Sequence, residues 1–170
     1  MAILGSLVYS AAEGSAYSDE SMENPYIKYI SIEPALLSIP YLSSVITDTH
    51  FSVRDRMGRS LTFLARIFTD QKPQEGRATT AACDEQTALL LDITNGSAET
   101  VGKNHCFTCF SSTGPDVCQA DKPLTFQSIN CMRLSAETRD SFNFETLSGQ
   151  GVSYINSIVD GHFTTAKYGP

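Results

Sequence analysis

The clearest apolar pattern in the chain runs from residue 57 to residue 68. Apolar side chains recur there at steps of three and four, which is typical of one face of an amphipathic helix. They are Met57, Leu61, Leu64 and Ile67 or Phe68. Ser52 or Asp55 precedes the pattern and is predicted to cap the start of the helix. The sequence therefore predicts one well-formed helix in the first half of the chain.

A second stretch of helical spacing lies at the start of the chain, in residues 2–11. Ile3, Leu4, Leu7 and Val8 would form one apolar face of a helix, although no capping residue or turn precedes them. A signal peptide would have a basic segment before the apolar stretch, and this sequence has none. The alternative is that the helix is the second half of a strand–turn–helix unit.

Most of the remaining pattern predicts strands. Residues 44–48 are β-branched and bounded by polar residues, so we expect a buried strand that leads directly into Thr49 and His50. Asn95-Gly96 is a strong hairpin turn. Further strands are predicted at 26–30, 79–83, 87–92, 98–102, 106–111, 124–134 and 152–159, followed by a frayed tail at 162–170. The pattern predicts a mixed α/β fold with too few helices to cover both faces of a doubly wound sheet.

The composition fits one globular domain. The chain has 170 residues, of which 41% are hydrophobic and 18% charged, and its formal net charge is −7. That length supports one core of its own. No stretch approaches the ~20 consecutive apolar residues of a membrane span, and there is no extended basic patch of the kind that binds nucleic acid. We therefore expect neither a membrane protein nor a nucleic-acid-binding protein.

The five cysteines do not form a simple disulfide framework, because their number is odd and four of them lie within residues 106–131. Reduced thiols and one or two local bridges both remain open. Cys106 and Cys109 form a single C-x-x-C pair, which His105 and Cys118 could complete as a zinc site. The flanking phenylalanines favour a strand with buried thiols instead.

His50 is the most informative of the three histidines, since it follows a predicted buried strand and precedes the helix. Functional groups gather at the carboxyl ends of strands in open α/β sheets. A general base here needs a carboxylate to orient its ring, and the candidates are Asp48, Asp84 and Glu85. Glu85 is preferred, because an acidic residue between two strand segments needs a partner. A structural histidine and a surface carboxylate are the alternative interpretation.

Three arginines, Arg54, Arg56 and Arg59, lie at the start of the predicted helix, where the helix dipole disfavours cations. This placement indicates a task such as binding a carboxylate, although a solvated helix face would also explain it. The G-x-S-x-G motif of serine hydrolases does not occur in the 170 residues. Cys83 is a candidate nucleophile by position, but its place within a strand favours a buried, inert thiol.

Two segments resemble the signatures of one enzyme family. Residues 48–59, Asp-Thr-His-Phe-Ser-Val-Arg-Asp-Arg-Met-Gly-Arg, are similar to the histidine signature of the cyanophycinase-like serine peptidases, relatives of dipeptidase E. Residues 83–89, Cys-Asp-Glu-Gln-Thr-Ala-Leu, resemble the acidic signature of that family. Residues 18–26 resemble the stretch that links its nucleophile helix to its histidine strand. The resemblance covers nearly the whole chain.

The resemblance implies a Ser-His-Glu triad on a class I glutamine amidotransferase-like three-layer α/β/α sandwich. Residues 1–170 would form its C-terminal part, a single partial peptidase domain with a β-rich second half. His50 is implied as general base and Glu85 as its orienter, with no cofactor and no metal. The serine would lie in a Gly-Thr-Ser-Ala-Gly elbow just upstream of Met1. We therefore expect earlier βα units to be missing and the strand at 44–48 to have an unpaired edge.

The family acts as a serine-type exopeptidase, which implies a peptide substrate with acidic aspartyl or β-aspartyl groups. The implied substrate-binding residues are Asp48, Thr49, Arg54, Arg56 and Arg59. Thr49 stands where the cyanophycin-degrading members have Gln. This departure argues against cyanophycin itself as the substrate. No nucleic acid or membrane partner is implied.

Two other functions remain open. One is an inactive remnant, or pseudoenzyme, that binds acidic peptides through the three arginines. The other is a small metal-binding module built on Cys106, Cys109 and Cys118. The sequence is compatible with a homodimer and leaves open both a cytoplasmic and a secreted location.

Overall fold

The computed structural model of the chain describes residues 5–71, 73 and 76–170. Its helices are α1 (Ser18–Glu23) and α2 (Met57–Arg66), and a π-helical turn, Ile67–Gln71, continues α2. Its strands are β1 (Leu7–Ser10), β2 (Ser31–Pro34), β3 (Val45–Thr49), β4 (Ala78–Cys83), β5 (Thr87–Leu91), β6 (Ser97–Gly102), β7 (His105–Ser111), β8 (Phe126–Ser135), β9 (Ser141–Asn143), β10 (Ser148–Gln150), β11 (Val152–Val159) and β12 (His162–Phe163). Among the described residues, no helix combines the length and the apolar composition needed to cross a bilayer.

Eight strands form one mixed sheet, in the order β12-β11-β8-β7-β4-β3-β1-β2. β3 runs parallel to β1 and to β4, and the other neighbouring pairs are antiparallel. The register between β3 and β4 runs from Val45↔Thr79 to Thr49↔Cys83. A second, antiparallel sheet has the order β10-β9-β6-β5. Because β3 and β4 are parallel and in register, the segments that follow them emerge at the same edge of the large sheet.

The large sheet has an apolar core on each face, because side chains alternate between its two faces along the central strands. Ile46, Ala82 and Phe107 pack with the helices on one face. Val45 and Cys106 pack against the smaller sheet on the other face. The layers are therefore helix, sheet and sheet. The chain is mixed α/β, as predicted, but the smaller sheet lies where an α/β/α sandwich would have a second layer of helices.

The central elements are confirmed, whereas the predictions for the first 50 residues are partly wrong. Leu7–Ser10 is strand β1 and not part of a helix, and residues 1–4 lie outside the described part of the chain. Residues 26–30 form turns rather than a strand. The unpaired edge expected at 44–48 is also wrong, because β3 lies between β1 and β4. Strand pairing has overridden the local helical spacing at the start of β1.

The cysteine arrangement argues against the alternative zinc site and agrees with the preferred interpretation, a strand with buried cysteines. Cys83 and Cys106 face each other on β4 and β7 and form a disulfide, so Cys83 is not a free nucleophile. Cys109, three residues along β7, points to the opposite face of the sheet, and Cys109, Cys118 and Cys131 are buried free thiols. In the described part of the chain, no group of three His, Cys, Asp or Glu residues could hold a metal ion. The metal-binding module on Cys106, Cys109 and Cys118 is therefore not supported by the structure.

Candidate active site

His50 and Glu85 lie next to each other at the edge where β3 and β4 end. The register pairs Thr49 with Cys83 as the last residues of the two strands, and His50 and Glu85 follow them by one and two residues. The Nδ1 atom of His50 is 2.8 Å from Oε1 of Glu85. The side chains are 48% and 33% exposed. The predicted hydrogen-bond contact between the two residues is therefore present.

The backbone around this pair adopts uncommon conformations. His50 has φ of 50° and Gln86, directly after Glu85, has φ of 56°. A side chain other than glycine in the left-handed region costs free energy and persists only where surrounding contacts hold it. At this edge the left-handed turn at His50 ends β3 and directs the imidazole toward the β4–β5 turn.

The β4–β5 turn is held by contacts on each side of Glu85. Asn104 Nδ2 and Thr87 Oγ1 both donate hydrogen bonds to the backbone carbonyl of Glu85, at 2.7 and 3.1 Å. Asp84, which is 7% exposed, accepts a 2.7 Å bond from the Ser52 amide. The Cys83–Cys106 disulfide ties the end of β4 to β7 directly before the turn. Asp84, a candidate orienter in the sequence, instead joins the turn to the loop after His50.

The imidazole contact favours the ionised form of Glu85. The hydrogen bond from His50 is the main cause that lowers the pKa of the Glu85 carboxyl below its ordinary value, with a smaller contribution from the positive charge of Arg54. An ionised carboxylate accepts a proton-bearing Nδ1, which leaves the Nε2 lone pair as the basic atom of the ring. Nε2 has no hydrogen-bond partner among the described residues. The pair can therefore act as an oriented general base.

Asp48 is the second carboxylate near this edge, and it has a different task. Its side chain is 8% exposed and forms two bonds with Arg59, from Nη2 to Oδ1 at 2.6 Å and from Nε to Oδ2 at 2.7 Å. Arg56 Nη1 adds contacts to Asp48 Oδ1 at 3.2 Å and to the Thr49 carbonyl at 2.5 Å. A two-point arginine–carboxylate pair of this kind is strong and geometrically specific. Asp48 is thus an internal anchor for two of the three arginines.

The arginines differ in how far a ligand could reach them. The Arg59 side chain is 5% exposed and also donates to Ser15 Oγ and the Ala16 carbonyl. Arg56 is 14% exposed, and burial together with neighbouring Arg59 lowers its pKa from the ordinary value. Arg54 is exposed. Of the predicted substrate-binding arginines, Arg54 is the one whose side chain is open to solvent.

A cavity of about 590 Å³ lies against this cluster. Its lining includes Tyr9, Ser10, Ser15, Thr49, Arg56 and Arg59. A smaller cavity of about 160 Å³ touches all three arginines and residues 15–18. The basic groups therefore border concave surface, next to the strand end that carries His50.

The start of α2 is capped from a distance. The predicted caps Ser52 and Asp55 are wrong: the residue before the helix is Arg56, and it makes no side-chain cap bond. The Ser18 hydroxyl instead accepts a bond from the Arg59 amide at 3.3 Å and donates to the Asp55 carbonyl. Ser18 thereby supplies the oxygen that an N-cap side chain would give.

The C-terminal residues also reach this site, contrary to the predicted frayed tail. Lys167 Nζ lies 2.6 Å from Asp55 Oδ2, and the Tyr168 hydroxyl donates to Asp55 Oδ1 at 3.0 Å. The Tyr168 ring packs edge-on against Phe51 and Phe107. The loop that follows His50 is therefore held by residues from the far end of the sequence, a contact with no local sequence signal apart from the aromatic residue itself.

Comparisons with known proteins add no family assignment. No protein-family model matches the chain, and no curated protein matches it significantly. The resemblance to the cyanophycinase-like peptidases therefore depends on the residues of the two signature segments.

Proposed function

We propose that the chain carries the general base and its orienter of a Ser-His-Glu hydrolase, a serine-type exopeptidase acting on aspartyl or β-aspartyl peptide bonds. The observation that supports this proposal is the 2.8 Å contact between His50 Nδ1 and Glu85 Oε1 at a shared strand edge. The proposal includes a more specific fold assignment within the mixed α/β class, a class I glutamine amidotransferase-like core.

In the proposed mechanism Glu85 holds the Nδ1–H tautomer of His50, so that Nε2 faces the reaction. Nε2 takes the proton of a serine hydroxyl as the serine oxygen attacks the peptide carbonyl carbon. The same proton is then given to the nitrogen of the leaving amine, and the acyl-enzyme ester is hydrolysed by water in a second passage through the same base. The serine is the one that the resemblance assigns to a Gly-Thr-Ser-Ala-Gly elbow.

The basic surroundings support an acidic substrate. Arg54 is exposed beside the His50–Glu85 pair, and its charge is close enough to lower the pKa of Glu85. The 160 Å³ cavity brings Arg54 together with Arg56 and Arg59. Guanidinium groups bind carboxylates well. Arg54 has no ion pair or hydrogen bond with its side chain among the described residues, so it can bind a carboxylate without giving up an internal partner.

A direct test uses the chain preceded in frame by a segment carrying the Gly-Thr-Ser-Ala-Gly elbow, assayed on β-aspartyl and neutral dipeptides. We expect His50→Ala and Glu85→Gln each to lower kcat by about three orders of magnitude or more, with little change in substrate affinity. His162→Ala is the matched control, because His162 is exposed on β12, an end strand of the sheet that three other strands separate from β4. Turnover that survives His50→Ala, or equal hydrolysis of aspartyl and neutral peptides, would contradict the proposal.

The second candidate function is binding of acidic peptides without catalysis. The cavity that touches all three arginines favours it. The two functions separate in the same experiment, because a binding protein would take up the β-aspartyl dipeptide in calorimetry and release it unchanged. Arg54→Ala should weaken that uptake about fivefold, since an exposed charged contact contributes on the order of 1 kcal/mol.

A further inference from the structure

Two of the free thiols face each other across neighbouring strands. Cys109 on β7 and Cys131 on β8 are directly opposed in the register. Both side chains belong to the helix-facing core, and the residues are 1% and 2% exposed. After burial, the neighbouring Cys131 thiol is the next cause that raises the pKa of the Cys109 thiol. The third free thiol, Cys118, is outside the strands.

The arrangement repeats that of the existing disulfide. Opposed residues in an antiparallel pair alternate between hydrogen-bonded and closer, non-hydrogen-bonded positions. The Asp84 amide bonds to the His105 carbonyl, so the next pair, Cys83 and Cys106, is of the closer kind, and its Cα atoms are 4.1 Å apart. Closely opposed positions of this kind fall at the short end of the separations that disulfides span.

The same alternation places Cys109 and Cys131 in a closer position. The Ala136 amide bonds to the Asn104 carbonyl, which makes that opposed pair a hydrogen-bonded one. Cys109 and Cys131 lie five steps further along the same register, an odd number, and therefore fall on a non-hydrogen-bonded position. Their side chains are on one face of the sheet and need no shift of the strands to meet.

We propose that Cys109 and Cys131 are the site of a second cross-strand disulfide, formed when the chain folds in the presence of a disulfide oxidant such as oxidised glutathione. The Cys109 thiolate attacks one glutathione sulfur, breaks its S–S bond and releases one glutathione thiol. The Cys131 thiolate then attacks the Cys109 sulfur of the mixed disulfide and releases the second. Two protein thiols are oxidised, and one glutathione disulfide is reduced to two thiols.

Burial decides when the exchange takes place. Burial keeps the Cys109 thiol protonated by raising its pKa well above the ordinary value, and only a thiolate exchanges at a useful rate. Met57 of α2 covers the Cys109 sulfur at 3.8 Å. The bond therefore forms while the strands are still uncovered. Once formed, it joins β7 to β8, as Cys83–Cys106 joins β4 to β7, and the three central strands become one covalent unit.

The test refolds the fully reduced 170-residue chain in a glutathione redox buffer and then alkylates it with iodoacetamide in denaturant. The expected result is one modified cysteine, Cys118. Trypsin leaves Cys109 and Cys131 on one peptide, because Lys122 precedes proline, so a second protease that cuts after Asp116 and Asp121 is needed. Cys106 stays on the fragment of Cys109, so the expected product is three linked fragments, which carry Cys83, Cys106 with Cys109, and Cys131. The oxidised chain should also melt about 5–10 °C above a Cys131→Ser variant that retains Cys83–Cys106.

Two outcomes would overturn the proposal. One is alkylation of both Cys109 and Cys131 at every glutathione ratio that forms Cys83–Cys106. The other is a bridge from Cys118 to either of them. Cys118→Ala serves as the control for such exchange and should leave the second bridge intact. Cys109→Ser should leave Cys131 and Cys118 both open to alkylation after denaturation.

Discussion

At the scale of single residues, Asp48 is the carboxylate whose removal should destabilise the fold most. It lies with Arg59 in a buried pair, and Arg56 contacts the same oxygen as the Arg59 Nη2. Removing one partner of a buried ion pair leaves the other charge uncompensated, which costs about 3–5 kcal/mol. The Asp48 side chain is thus a structural centre for the arginine cluster.

Asp48→Asn should therefore lower the free energy of unfolding by about 3 kcal/mol, measured by urea denaturation. Glu137→Gln is the matched control, since Glu137 is exposed and its side chain has no described partner; it should change stability by less than about 0.5 kcal/mol. An Asp48 variant as stable as the control would show that Arg59 finds another anion or solvent.

Individual site residues differ in how well the sequence predicts them. His50 and Glu85 are predicted correctly as neighbours, because each follows a strand whose end is visible in the local pattern. Asp48, Arg56 and Arg59 are predicted as substrate-binding residues, a role that stays a prediction. Their mutual pairing has no local signal, because Arg59 reaches Asp48 across the loop that joins β3 to α2.

At the scale of elements, the start of α2 depends on a residue from another segment. The Ser18 hydroxyl bonds to the Arg59 amide and the Asp55 carbonyl, whereas the locally predicted cap Ser52 makes no side-chain bond among the described residues. Ser18 also lies against Gly58. A Cβ atom added at Gly58 would lie 2.8 Å from the Cβ atom of Ser18. α1 and α2 are therefore closely packed at this point.

Ser18→Ala should destabilise the chain by about 1 kcal/mol, the usual loss of a helix-capping side chain, in thermal or urea unfolding. Ser52→Ala should stay within about 0.5 kcal/mol of the unchanged chain. A larger loss for Ser52→Ala than for Ser18→Ala would favour the cap that the sequence predicts and contradict a capping role for the Ser18 hydroxyl.

The C-terminal strap is a second element-scale feature, and we define it as residues 166–170. The Tyr168 hydroxyl bonds to Asp55 and accepts a bond from the Met57 amide at 3.4 Å. Tyr168→Phe keeps the ring packing on Phe51 and removes both bonds, so stability should fall by about 1 kcal/mol. Hydrogen exchange at residues 51–57 should also become faster, while exchange in β8 serves as the internal control. Unchanged exchange at 51–57 would mean that the strap does not hold the loop.

The sequence predicts elements well where the periodic pattern is long and poorly where pairing decides. α2 has four apolar positions at helical steps and is recovered. β1 is only four residues long, and its apolar spacing wrongly predicts a helix. It is a strand because its backbone pairs with β2 and β3. Gly5 shows the same dependence, since a Cβ there would lie 1.9 Å from the Val45 carbonyl oxygen. Such close approaches appear only when the strands are assembled.

At the scale of the whole molecule, both cores share the large sheet. Helix-side residues such as Ile46 alternate along β3 with Val45, which faces the smaller sheet. β3 itself is paired on both sides, and the strands at the two ends of the sheet, β2 and β12, are four and two residues long. Short end strands offer little edge for further pairing. Because the two cores share the strands of the large sheet, they should unfold together rather than in separate steps.

The molecule should lose stability in alkali, because burial raises the pKa of three tyrosines. The pKa of Tyr26 is raised to about 12, first by burial and then by its bond to Asp70, and those of Tyr154 and Tyr168 are raised further, mainly by burial. These phenols stay protonated in the folded chain at a pH where the unfolded chain, with pKa near 10, has released the protons. The free energy of unfolding that these three phenols contribute is complete below pH ~10. It declines as the pH rises toward their pKa values in the folded chain.

Tyr26 allows this to be tested at one position. Its ring lies 3.8 Å from the Arg66 guanidinium carbon, and its hydroxyl donates to Asp70 at 2.6 Å. Tyr26→Phe keeps the stacked ring and removes the titrating group, so the decline in urea midpoint between pH 9 and pH 11 should be smaller than in the unchanged chain. Tyr17→Phe, at an exposed position, should leave the decline as it was. Equal pH profiles for the Tyr26 variant and the unchanged chain would place the alkaline loss elsewhere, with Tyr154 and Tyr168 as the next groups to replace.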